Sequence, residues 1–133
     1  MSVRELQLDT GLEEIQFRDE LGRLLATVWF NPTDMGIASR ARAEMDALEK
    51  RWKDKKGEEP DLAALEQEVR TLFDKIFACP FSETVFENIS PLALMEDGRC
   101  FYESLLDAML PVMEQCIREK AQKSHEHLQK YLS

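Results

Sequence analysis

At Asn31-Pro32-Thr33-Asp34 the apolar pattern of the chain changes its period. Before that point apolar residues alternate with polar ones. Leu6 and Leu8 do so, then Ile15 and Phe17, and residues 25–30 form a run rich in β-formers. Alternation places one face of an extended strand on a core. After that point apolar residues return at spacings of three and four, which is the helix period. Pro32 cannot continue a central strand, and Thr33 or Asp34 can cap a following helix. A single switch of this kind constrains the chain to an α+β, mainly α fold. The expectation is a small N-terminal antiparallel hairpin or sheet of two or three strands, packed on a bundle of three main helices plus short helical turns. Residues 19–23, with Gly22 at a positive-φ position, suit the hairpin turn. So small a sheet is not stable alone and must lie on helices.

The helical part divides at its own punctuation. Helix one is expected from Met35 to Lys55, with Ile37, Ala41, Met45, Leu48 and Trp52 on its apolar face. Gly57 can end it, and Pro60-Asp61 can start the next. Helix two carries Leu62, Leu65, Val69, Leu72, Phe73, Ile76 and Phe77, the cleanest amphipathic pattern in the chain. The short connection makes the two an αα-hairpin. Cys79-Pro80 breaks helix two. Phe81, Val85, Phe86 and Ile89 read as a short helical turn, residues 92–95 as a second, and Asp97-Gly98 as a loop. A last helix is expected from Arg99 to near Tyr131. Its buried face is Phe101, Leu105, Leu106, Met109, Val112, Met113, Cys116 and Ile117, with a kink at Pro111. The whole reads as one domain over residues 1–133. Its β element is 1–30, its helical part 34–133, and 118–133 a solvated helical tail that docks only through Leu128, Tyr131 and Leu132.

Composition narrows the function classes. The formal charge is −9, from 26 acidic and 17 basic residues. Nucleic acid would be repelled unless a basic patch were segregated. The cluster Lys50, Arg51, Lys53, Lys55 and Lys56 is flanked by Glu49, Asp54, Glu58 and Glu59, so it reads as a mixed-charge solvated face. Cys79, Cys100 and Cys116 have neither disulfide-framework nor zinc spacing and read as small buried hydrophobes, which suits a reducing compartment. No stretch reads as a signal peptide or a membrane span. The expected location is a cytoplasm.

No constellation for chemistry emerges. His125 and His127, two apart, point to different sides of a helix and cannot share a metal there. Carboxylate pairs such as Glu13-Glu14, Glu58-Glu59 and Glu96-Asp97 arise by chance at this acid content. There is no phosphate loop, no Glu-x-x-His and no calcium loop. The chain is therefore not expected to be an enzyme, and no cofactor or metal is implied. Candidates for partner binding are Trp29 and Trp52 as aromatic anchors, and Met109 and Met113 as part of an adaptable groove. Their alternative reading is core or core edge. Two rival functions remain open. One is an acidic regulatory or counter-defence protein that mimics DNA to bind a host or phage protein. The other is an enzyme or a subunit of one.

The segment Phe30-Asn31-Pro32-Thr33-Asp34 after a β-rich N-terminus, then a helix with Arg40 and Leu48, resembles a family of small proteins from tailed phages and prophages of Gram-positive bacteria. Further pieces follow in order: Asp74-x-x-Phe77, Cys79, Phe81 and Phe86, Leu92-Ala93-Leu94, and Asp97-Gly98. Then come Leu105-Leu106-Asp107-Ala108-Met109 and Gln129-Lys130-Tyr131. The resemblance spans residues 25 to 133 and departs at Met35-Gly36-Ile37, where a bulkier apolar start is usual. Such proteins resemble tail assembly chaperones. The resemblance implies virion morphogenesis in the cytoplasm of the bacterial host, with the tape measure protein and the major tail protein as partners. Self-association into a homo-oligomer is expected, because so small a core leaves apolar faces poorly covered. No binding residue is carried over from the family; residues 30–34 read as a structural strand-to-helix corner.

Overall fold

The computed structural model describes residues 2–54, 57, 59 and 61–132, with side chains described up to residue 126. It is a mixed α+β chain, 55% helical, with a two-stranded N-terminal sheet. Strand β1 (Glu13–Arg18) pairs antiparallel with β2 (Leu24–Phe30), with a bulge between Phe17 and Arg18. Asp19 shapes the turn. Its carboxylate accepts from the Leu21 and Arg23 amides at 2.9 Å each, and Gly22 takes φ +81°. The expected third run does not form a strand. Residues 2–10 make no regular structure, and Leu6 and Leu8 are exposed.

Helix α1 (Met35–Lys53) is capped by Asp34, which accepts the Gly36 amide at 2.9 Å. It ends at Lys53 with Asp54 as C-cap; the expected terminus Lys55 lies outside the described residues, as does Pro60. Helix α2 (Leu62–Phe77) is capped by Asp61 through the Ala64 amide. Two cross-links fix the pair as antiparallel. Trp52 Nε1, late in α1, donates to Glu68 early in α2, while Arg40 Nε, early in α1, donates to the Ile76 carbonyl late in α2.

The core is densest where α2 stops. Phe73 and Phe77 lie one turn apart on one face. Ala78 then takes φ 53°, Pro80 follows, and α3 (Phe81–Val85) folds straight back. That reversal lays Phe81 on Phe77 with ring centroids 4.4 Å apart, and on Phe73 at 5.5 Å. Phe86 meets Phe73 edge-on at 5.1 Å, and Phe30 of β2 closes the cluster on Phe77 at 5.0 Å. Each buried Phe contributes about 1.5–3 kcal/mol by area alone. Buried Ser82 is satisfied from α2: its amide and hydroxyl both donate to Asp74, at 2.7 and 2.8 Å.

Residues 92–95 are not a helical turn. Leu94 bridges Cys100 across the Asp97-Gly98 turn. The reason is α4 (Phe101–Leu132), whose first N–H groups lack helical acceptors. The Pro91 and Ala93 carbonyls accept the Tyr102 and Phe101 amides instead, at 3.1 and 2.8 Å. Buried residues on α4 are Leu105, Met109 and Met113, a narrow strip spaced by four. Val112, expected on the buried face, is 63% exposed, and Leu62 on α2 is likewise exposed. Helix α4 runs on through Pro111, whose ring lies on the exposed side. Residues 118–126 are exposed along their length; the expected docking residues Leu128, Tyr131 and Leu132 lie outside the described side chains.

Candidate functional site: an apolar groove between three helices

The four candidate partner-binding residues do not gather in one place. Met109 and Met113 belong to the core, at 7% and 5% exposure, because α4 lays its narrow strip directly on the body. Trp29 stands on the outer face of β2, 56% exposed, opposite Glu14 on β1. Its neighbours Val28 and Phe30 point inward by the strand's alternation. Trp52 is the candidate that sits in a concavity.

That concavity lies between the C-terminal half of α1 and the N-terminal ends of α2 and α4. It is a groove of about 560 Å³ with Met45, Leu48, Trp52, Leu65 and Tyr102 forming its apolar lining. Glu49, Lys53 and Glu103 form a charged rim. The last turns of α1, the first turns of α2 and the first turn of α4 each contribute side chains to the groove. Leu48 is the buried member of the lining, at 4% exposure, while Met45, Trp52, Leu65 and Tyr102 are half-buried.

The polar groups of the groove are arranged. The indole N–H of Trp52 donates to Glu68 at 3.0 Å, which orients the ring at the groove. Glu49 and Lys53 pair across one turn of α1 at 3.0 Å, both largely exposed. Burial raises the Tyr102 phenol above its ordinary value, reinforced by Glu103. Glu103 itself reaches back to the Cys100 amide at the start of α4, half of a capping box. A large aromatic, a flexible Met and a Leu give the groove an apolar, adaptable lining.

Residues 30–34 form a junction away from the groove. Asn31 Oδ1 accepts the Thr33 amide and hydroxyl at 2.9 and 2.7 Å, and its Nδ2 donates to the Thr10 carbonyl at 3.3 Å. Lys120 of α4 donates to the Thr33 hydroxyl at 3.1 Å. Pro32 and Phe30 are buried. Asp34 pairs with Arg40 at 3.0 Å, and that hydrogen bond holds its carboxyl below the ordinary range. The corner thus ties the N-terminal arm, β2, α1 and α4 together.

Among the described residues no three His, Cys, Asp or Glu side chains converge as a metal site, and no helix is long and apolar enough to cross a membrane. Burial raises the Cys79 and Cys100 thiols above their ordinary value. Fold and groove together define a small α+β protein with an open apolar cleft at one end of a helical hairpin. No protein-family model, curated protein or solved structure matches the chain.

Proposed function

We propose that this protein is a tail assembly chaperone of a tailed phage or prophage, acting in the cytoplasm of the bacterial host. It binds the tape measure protein, and the tail tube protein that polymerises round it, and performs no catalysis. One observation carries the reading: the half-buried apolar surface of Met45, Trp52, Leu65 and Tyr102 in a groove open to solvent. A concave site lined mainly by apolar side chains suits a protein partner. A long tape measure helix offers apolar residues at the spacing such a groove accepts. The ordered set of motifs from Phe30 to Tyr131 supplies the link to phage tails.

Mixing the full chain with a tape measure fragment from the same genome tests the reading. The expected result is a mixed complex whose affinity falls at least about tenfold with Leu65→Glu, since one hot-spot contact is worth more than about 1.4 kcal/mol. A chain that leaves the fragment unbound at high concentration would remove the proposal.

A further inference from the structure

The N-terminal arm, residues 2–10, has the character of a strand without a sheet. Val3, Leu6 and Leu8 are 84%, 85% and 78% exposed. The arm leaves the body at a built exit. Asp9 accepts the Gly11 amide at 2.8 Å, and Asn31 holds the Thr10 carbonyl. Gly11 has φ +70°, and a Cβ there would stand 2.6 Å from the Asn31 side chain, so any other residue would be strained at the exit. Beyond that exit, the described backbone hydrogen bonds outside helices and strands include none from residues 2–8.

The sheet has a matching deficit. On β2 the inward side chains Ala26, Val28 and Phe30 are 3–6% exposed, whereas Ile15 and Phe17 of β1 are only half-buried. A two-stranded sheet leaves β1 with an unpaired edge, which is a template for another strand. Arm and edge share one pattern. Arg4, Leu6 and Leu8 recur every second residue, as do Glu13, Ile15 and Phe17. In parallel register they match one to one: Arg4 against Glu13, Leu6 against Ile15, Leu8 against Phe17. An arm folded back antiparallel on its own β1 through residues 9–12 would instead set Leu8 against Glu13 and Arg4 against Phe17. Parallel pairing within one chain requires a crossover of about a dozen residues or more. Only residues 9–12 separate Leu8 from β1.

The geometry points to a second copy of this chain as the occupant: the arm of one protomer adds as a parallel strand to the β1 edge of another. Main-chain hydrogen bonds and the burial of Leu6 and Leu8 would drive the addition, and the Arg4–Glu13 pair would set its register. This inference does not rest on the groove, and either can fail without the other.

Light scattering of the full chain up to millimolar concentration tests it, with four sequences compared. The unaltered chain should reach a mass of at least two 15.4 kDa protomers. Leu6→Asp with Leu8→Asp should remain one protomer, with unchanged circular dichroism, because both side chains already lie in solvent. Arg4→Glu should weaken association about fivefold, and Arg4→Glu with Glu13→Arg should restore it. Amide exchange at residues 13–18 should slow as concentration rises. A chain monomeric throughout, or association that survives the double Asp variant, would overturn the proposal. So would failure of the charge swap to restore association, or protection of β1 independent of concentration.

Discussion

Residues 69–86 and residues 3–17 both carry apolar side chains in a regular pattern, yet their fates are opposite. In the first, Val69, Phe73, Ile76 and Phe81 have 0% exposure and the buried polar group, Ser82, is satisfied twice by Asp74. In the second, Val3, Leu6 and Leu8 stand in solvent and Ile15 and Phe17 are half-covered. Apolar content differs, 10 of 18 residues against 6 of 15, but local geometry decides the outcome. A helix of 16 residues followed by a forced reversal at Ala78-Cys79-Pro80 brings its rings together locally. An extended arm has no local partner and must find one across a sheet edge.

The contrast can be broken most sharply at its centre. Phe73→Ala should cost about 3–5 kcal/mol in urea unfolding, whereas Leu6→Ala should stay within about 0.5 kcal/mol at concentrations where the chain is monomeric. Equal effects would mean the arm is part of the core. Asp74→Ala should cost about 1–3 kcal/mol, by stranding the Ser82 amide and hydroxyl, and Ser82→Ala in the same chain should recover part of that loss.

A smaller effect sharpens the contrast at the corner that joins the two regions. The folded Asp34 carboxyl lies below its ordinary 3.8, chiefly through Arg40. Its contribution is therefore complete above the unfolded value and is lost as pH falls through the lower folded value. Asp34→Asn keeps a capping oxygen but removes the ion pair, which is part-exposed. It should cost less than about 1 kcal/mol at neutral pH and flatten the acid limb of the stability profile. The smallest expected change is a gain. Ala78 is exposed and holds φ 53°, so Ala78→Gly should stabilise by up to about 1 kcal/mol.

The same contrast explains what the sequence made legible. Helix α2 was readable because seven apolar residues fall on the helix period and Asp61 caps it. The Gly22 turn and the Asp34 cap were readable because each needs only its near neighbours. Leu6 and Leu8 carried a correct strand pattern, but a pattern states which face is apolar and not whether a neighbour is present. Residues 92–95 misled because their conformation is set by the orphan amides of a helix that follows. Met109 and Met113 had the same periodic signature as Val112, and only the placement of α4 separates core from surface. The groove needs three helix ends at once, so of its lining the sequence suggested Trp52 alone.

The most direct measurement on the groove is tryptophan emission of a Trp29→Phe chain, which leaves Trp52 as the sole indole, titrated with a tape measure fragment. A saturable blue shift that disappears in the same chain carrying Leu65→Glu, with circular dichroism unchanged, is the predicted result. Binding without any change at Trp52, or an identical shift in the Leu65→Glu chain, would contradict the groove as the binding site.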